Sequence, residues 1–150
     1  MKYDKVLTKT NIRRSFRIVC GLREGYKQDA VVHKPEEAID VVHEWMKQRA
    51  ERGVPFLTGS FSNETLVYTW KGATDDADAP EPSIAYQGEI SIAYNPGMSD
   101  EEAQALLAEI AALLGERLRQ TRVYVSYRDE IWILQAEGKF SPRVAEEQLA

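Results

Sequence analysis

The chain has 150 residues, of which 43% are hydrophobic and 29% are charged. A chain of this length can bury a core as one domain, so it needs neither a disulfide scaffold nor a structural metal for stability. The single cysteine, Cys20, has no partner within the chain, which argues against a secreted disulfide-rich protein and favours the cytoplasm. The apolar run at residues 18–22 is too short for a signal-peptide core or a membrane span, so we expect no membrane association.

The net charge of −5 is unevenly distributed along the chain. Residues 1–30 carry eight Lys or Arg against three Asp or Glu, whereas residues 31–150 carry eleven against twenty-one. We interpret residues 1–13 as a basic N-terminal arm. It pairs either with the acidic body or with phosphate, a membrane surface or an acidic partner. No RNA-recognition or helix-turn-helix signature accompanies these cations, so nucleic-acid binding is the weakest function considered.

Residues 14–137 are predicted to form one α+β domain. Apolar residues alternate with others from Ser15 onward, which predicts a first strand. Pro35 then stands where the first residue of a helix tolerates a missing amide hydrogen, and the acidic residues after it favour the positive end of the helix dipole. This helix is predicted to end near Arg52, because Gly53 is a typical C-terminal stop.

Residues 54–70 predict two strands that turn at residues 62–64. The acidic, proline-containing segment at residues 71–82 is interpreted as a connector that acts as a lid or a tether. Strict alternation then predicts a strand over residues 83–94, and the Asn-Pro-Gly sequence at 95–97 ends it with a turn.

A second helix is predicted to begin at Asp100, after Ser99, which is expected to form a capping box with Glu102. Its apolar residues recur at helical spacing and predict one buried face. A hairpin is predicted over residues 122–134, and residues 138–150 are at most a short helical tail.

The two parts of the domain are predicted to be pseudo-repeats, spanning residues 14–70 and 83–135. Each has the order strand, helix, hairpin. Residues 60–68 align with residues 126–134 without a gap, each with a serine, an aromatic residue, a polar turn that ends in Glu and an apolar strand. Such a match also arises by chance between unrelated hairpins, since turn chemistry is restrictive, so duplication and coincidence both stay open.

The predicted fold class is α+β, with two strand-helix-strand-strand units that share an antiparallel or mixed sheet and place two helices on one face. This topology is similar to the duplicated domains of the gyrase-inhibitor-like class, which bind small molecules between their halves. It is also similar to ferredoxin-like sandwiches if one hairpin strand is peripheral. Neither similarity transfers a functional residue, because fold does not determine function.

Motifs for catalysis are scarce in the sequence. His33 and His43 lack the spacing of a helical metal pair, so no metal site and no cofactor are predicted. Cys20 is expected on an apolar strand face, where a thiol is inert. Phosphate loops, dinucleotide fingerprints and nucleophile elbows do not occur.

One carboxylate and a group of aromatic residues are the candidate ligand-binding site. Glu89 has the phase of the uncovered sheet face, where a buried acid would have a raised pKa and would anchor a ligand; a solvated strand glutamate is the alternative. Aromatic residues on strands offer apolar area with a polar tip. Those assigned to the site are Tyr68, Trp70, Tyr86, Tyr124 and Trp132. Tyr124 and Trp132 in particular are expected to leave the helix-covered face.

The first functional hypothesis is a non-enzymatic binding protein, a homodimer, whose uncovered sheet face holds a protein partner or a small apolar ligand. One alternative is an acidic inhibitor or immunity-type protein that masks a basic protein surface. Another is a small acid-base enzyme that uses Glu89 or His43.

Overall fold

The structure is a computed structural model, and it describes residues 1–4, 12–25, 29–74 and 78–137. The predicted tail at residues 138–150 lies outside the described residues, as do parts of the predicted arm and connector.

Five strands and two helices form the domain, and the α+β prediction is confirmed. In chain order they are β1 (Ser15–Gly21), α1 (Pro35–Glu51), β2 (Ser60–Leu66), β3 (Glu81–Glu89), α2 (Asp100–Arg117), β4 (Arg122–Tyr127) and β5 (Glu130–Gln135). The strands pair in the order β2-β3-β1-β4-β5, and every pair is antiparallel. The first four strands with the two helices have the ferredoxin-like connectivity, and β5 is the peripheral strand.

The helices begin at the predicted residues for local reasons. The hydroxyl of Ser99 accepts a hydrogen bond from the Glu102 amide at 3.1 Å and so caps α2. Pro35 is the first residue of α1, and the Glu37 carboxylate accepts from the Lys34 amide at 3.0 Å. Both helix starts therefore satisfy amides that have no partner within the helix.

The two helices pack on one face of the sheet, where their buried residues and the inward strand residues form one core. The strands contribute Phe16, Ile18, Cys20, Ile84, Tyr86, Val123, Val125 and Tyr127, and the helices contribute mainly Ala38, Val42, Trp45, Ala103, Leu107, Ile110 and Leu114. Every second residue of β1, β3 and β4 faces this core, as expected for strands with one buried face.

Two predicted elements differ from the observed ones. Residues 60–66 form the single strand β2, which pairs with β3 along its whole length, so residues 62–64 do not turn. The alignment of residues 60–68 with 126–134 therefore compares one strand with the true hairpin β4-β5. Strand β3 ends at Glu89 rather than at residue 94. Ile90 is still buried, and its amide donates to the Arg14 carbonyl at 2.9 Å.

The other face of the sheet, which we call the open face, is not covered by either described helix. Its strand residues include Arg17, Val19, Gly21, Ser83, Ala85, Gln87, Tyr124, Ser126 and Ile133. Within the described part of the chain, no helix is long and apolar enough to cross a membrane.

Candidate functional site

A cavity of about 440 Å³ lies at one end of the open face. Strand residues form its floor, and the segments that follow β2 and precede β4 form its walls. The lining residues are Val19, Gly21, Gly25, Leu66, Val67, Tyr68, Thr69, Glu81, Gln120, Thr121, Arg122, Tyr124 and Ile133. This volume is within the range of small-molecule sites.

Glu81 is the buried acid of the cavity. It is the first residue of β3, pairs with Leu66 of β2 and is only 7% exposed. Burial raises its pKa above the usual value, although the hydrogen bond from the Tyr68 hydroxyl to Oε2, at 3.1 Å, and the charge of Arg23 act in the opposite direction. A buried carboxyl with a raised pKa in a concave site is a typical functional group.

Gly21 makes room for two side-chain oxygens. A Cβ atom built on Gly21 would lie 2.7 Å from Oε1 of Glu81 and 2.6 Å from Oε1 of Gln120. Both distances are too short for a real side chain, so glycine at this strand position allows the carboxylate and the amide to lie over the backbone of β1.

The segment that follows β2 forms the wall beside Glu81. The rings of Tyr68 and Trp70 are stacked, with centroids 6.1 Å apart and planes 13° apart. The Thr69 hydroxyl donates to the Asp78 carboxylate at 2.5 Å. These contacts hold the segment against the start of β3 and orient the Tyr68 hydroxyl towards Glu81.

The opposite side of the cavity combines one cation with apolar residues. Arg122 is 6% exposed, and its Nε donates to Oε1 of Gln135 at 3.0 Å. Tyr124 and Ile133 lie opposite each other on β4 and β5, and both are partly exposed on the open face. The cavity therefore offers a buried acid, a buried cation and an apolar wall.

The predicted ligand-binding residues are divided between this cavity and other places. Tyr68 and Tyr124 line the cavity, and Trp70 stacks behind Tyr68. Tyr86 is buried in the core on the helix side, where its hydroxyl donates to the Leu57 carbonyl at 2.9 Å. Trp132 also packs against the core, since the hairpin register places it opposite Val125 rather than on the open face.

Glu89 does not reach the cavity. It lies on the open face as predicted, but at the far end of β3, where it is exposed and pairs with Arg13 at 2.7 Å. Partial burial acts to raise the pKa of Glu89, but the hydrogen bonds from Arg13 and Ser15 and the charge of Arg13 together outweigh it and lower the pKa. The expected raised pKa is therefore not found at Glu89.

The histidines and the cysteine lie outside the cavity lining. His43 is exposed on α1, and His33 lies between the carboxylates of Glu24 and Glu37 at 3.2 and 3.0 Å. Cys20 is buried in the core, and burial raises the pKa of its thiol to about 12. Among the described residues, no cluster of three His, Cys, Asp or Glu can hold a metal ion.

Sequence reasoning missed Glu81, Gly21, Gln120 and Arg122. Glu81 falls within the predicted acidic connector. Alternation along the strand that follows nevertheless places it on the same face as Glu89, because the two residues are eight positions apart. Gly21 is the one residue whose sequence context points to the site, because a glycine at the end of an apolar strand indicates that other groups approach the backbone closely.

Comparison with known proteins shows that the fold of this chain is similar to that of solved structures. No family model and no curated protein matches the chain. A solved structure of a phage SAM lyase in complex with S-methyl-5′-thioadenosine has a TM-score of 0.64 and 21% identity, with 91% of this chain and all of that chain covered. The phage SAM lyase in its apo state gives the same TM-score and coverage at 22% identity. The chain is therefore similar in fold to a SAM lyase.

This finding contradicts the first functional hypothesis, that of a non-enzymatic binding protein, because these two solved structures, which share the fold, are structures of an enzyme. The hypothesis relied on the lack of catalytic sequence motifs. A cavity assembled from residues distant in the chain, such as Gly21, Glu81 and Gln120, leaves no such motif.

Proposed function

We propose that this protein is a lyase that cleaves S-adenosylmethionine and releases 5′-methylthioadenosine. The observation that carries the proposal is the buried carboxyl of Glu81, hydrogen-bonded by Tyr68 inside the open-face cavity. The fold likeness to a phage SAM lyase supports the choice of substrate.

The cavity suits a cationic nucleoside. Val19, Leu66 and Ile133 offer apolar surface to the adenosine part, and Tyr68 and Tyr124 add aromatic area. S-adenosylmethionine carries two positive groups, a sulfonium and an α-ammonium. Either group next to Glu81 would favour the carboxylate over the carboxylic acid and so would offset the effect of burial on its pKa.

The proposed reaction consumes no second substrate. The carbon–sulfur bond to the four-carbon amino-acid part breaks, and its electron pair stays on sulfur, which becomes a neutral thioether. The carbon that loses sulfur forms a new bond within the substrate. Either the substrate's own carboxylate attacks it and closes a lactone, or the adjacent carbon gives a proton to the solvent and a carbon–carbon double bond forms. The charge on sulfur disappears in the transition state, so an apolar surrounding for the sulfonium accelerates the reaction.

The protein's contribution is therefore to bind and orient the substrate. Glu81 provides the charge that holds a cationic group, and Tyr68 fixes the orientation of the Glu81 carboxylate by its hydrogen bond. A substrate bound against the apolar wall would displace water, which would otherwise stabilise the sulfonium and compete for the reacting carbon.

The test is to incubate purified protein with S-adenosylmethionine and to measure 5′-methylthioadenosine by liquid chromatography. We expect Glu81→Gln to lower kcat/KM by about a hundredfold, since it removes the buried charge. Glu89→Gln is the matched control, because it changes the same residue type on the same strand face outside the cavity, and it should retain full activity. Absence of 5′-methylthioadenosine above the uncatalysed rate, or equal activity of the two variants, would contradict the proposal.

Of the predicted partners, only the small molecule takes part in the proposed reaction, as its substrate. The homodimer and the cytoplasmic location stay predictions. Size-exclusion chromatography with light scattering tests the first, and fractionation of cells that express the protein tests the second.

A further inference from the structure

The side chain of Gln120 has only one orientation that satisfies its neighbours. Its Nε2 donates to the Arg23 carbonyl at 2.8 Å and to the Leu118 carbonyl at 2.9 Å. The reversed amide would place its oxygen against two carbonyl oxygens, which have no hydrogen to donate. The Gln120 oxygen therefore points away from these carbonyls, to the place above Gly21.

The backbone around Gln120 keeps this orientation. Its amide donates to the Gly115 carbonyl at 2.8 Å, and Arg119 before it has a positive φ of 53° at the end of α2. The next residue, Thr121, accepts from the Ala136 amide at 2.8 Å. Because both flanks are tied to the sheet and the helix, the amide oxygen is a positioned acceptor.

Two acceptors therefore lie side by side in the cavity. Oε2 of Glu81 accepts from Tyr68, while Oε1 of Glu81 and Oε1 of Gln120 converge above Gly21. Neither of these two converging oxygens can donate while Glu81 is ionised. The pair requires a ligand group that carries at least two hydrogens, and a positive charge on that group improves both hydrogen bonds.

Only one of the two positive groups of the substrate meets this requirement. A sulfonium has no hydrogen to donate, whereas an α-ammonium has three. A sulfonium beside a carboxylate would also be stabilised more before the reaction than in the transition state, because its charge disappears on cleavage. The geometry fits the ammonium, with the sulfonium towards the apolar wall at Val19 and Ile133.

We propose that Gln120 and Glu81 form an acceptor pair that binds the α-ammonium of the substrate, so that the site selects sulfonium compounds that carry an α-amino acid end. This inference rests on the proposed function for the identity of the substrate. Gln120 is a specificity-determining residue in it, and Gly21 is the glycine that allows the pair to form.

The experiment compares S-adenosylmethionine with its desamino analogue, in which hydrogen replaces the α-ammonium, on the wild type and on Gln120→Met. The wild type should prefer S-adenosylmethionine by about tenfold or more in kcat/KM, the size expected for hydrogen bonds to a charged group. Gln120→Met should lose a measurable part of that preference, because it removes one acceptor while Glu81 keeps its charge. Binding of 5′-methylthioadenosine, which has no ammonium, should change less than twofold in calorimetry, and this control separates lost recognition from misfolding.

Equal use of the two substrates by the wild type would overturn the inference, whatever the variant does. The inference is also overturned if Gln120→Met keeps the full preference for S-adenosylmethionine. A wild type that binds S-adenosylmethionine over its desamino analogue in calorimetry but forms no 5′-methylthioadenosine would support the acceptor pair and overturn the proposed lyase activity. The two failures are thus distinguishable.

Discussion

Strand β3 begins and ends with a glutamate on the same face, and the two have opposite properties. Glu81 and Glu89 lie eight residues apart, which is roughly 26 Å along an extended strand. Glu81 is buried with a raised pKa, and Glu89 is exposed beside Arg13 with a lowered pKa. The difference arises from the neighbours, because a wall of side chains surrounds only the first end of the strand.

Among changes to the neighbours of the two glutamates, the largest expected effect comes from filling the space above Gly21. Gly21→Val would push the side chains of Glu81 and Gln120 away from their positions, and we expect at least a tenfold loss of S-adenosylmethionine affinity. Gly21→Ala should have a smaller effect in the same direction. Calorimetry measures both.

Ser126→Val is the control for added bulk on the open face, since Ser126 lies on β4 away from the cavity lining. It should bind S-adenosylmethionine like the wild type. Undiminished binding by Gly21→Val would contradict the position assigned to the site.

A smaller effect is expected from removal of the hydrogen bond that Tyr68 donates to Glu81. This bond lowers the pKa of Glu81, so Tyr68→Phe should raise that pKa further and reduce the ionised fraction. We expect an activity loss of about tenfold at neutral pH, the size of one hydrogen bond to a charged group, with partial recovery at higher pH. The measurement is a pH profile of kcat/KM from pH 5 to pH 9.

Tyr94→Phe is the matched control for this profile, because Tyr94 is 79% exposed outside the cavity. Its profile should overlay that of the wild type. A Tyr68→Phe profile with the same midpoint as the wild type would show that the bond does not tune Glu81.

The smallest expected effects are on stability, and they have opposite signs at the two glutamates. The folded-state pKa of Glu81 is raised, so its stabilising contribution is present in acid and is lost as the pH rises through that pKa. The folded-state pKa of Glu89 is lowered, so its contribution is present at neutral pH and is lost as the pH falls.

At pH 7, Glu81→Gln should therefore raise the free energy of unfolding by about 0.5–2 kcal/mol, the gain typical when a buried functional group is replaced. Glu89→Gln should lower it by less than about 1 kcal/mol, because its ion pair is exposed. Urea denaturation at several values between pH 4 and pH 8 measures both changes. A destabilised Glu81→Gln at pH 7 would contradict the burial cost assigned to Glu81.

Local patterns in the sequence were sufficient for most of the fold. Pro35, the Ser99 cap of α2 and the alternation in β1 and β3 act over a few residues, and each is visible without the rest of the chain. The single strand β2 was missed because Ser62 and Asn63 resemble a turn, whereas their pairing with Ala85 and Ile84 keeps them extended.

The site could not be found in the same way, because the properties of its residues come from distant parts of the chain. Alternation along the strand places Glu89 on the open face, as observed. It places Glu81 on the same face, however, and does not show which of the two glutamates is buried. Burial of Glu81 depends on Tyr68 after β2 and on Gln120 before β4. No short window of sequence contains these three residues.

The most direct test of the central claim is a crystal structure of the protein with 5′-methylthioadenosine. We predict that the nucleoside occupies the open-face cavity, with its thioether towards Val19 and Ile133 and the space between Glu81 and Gln120 left for the amino-acid end of the substrate. Binding at the Glu89 end of β3, or on the helix-covered side of the sheet, would contradict the assignment of the site.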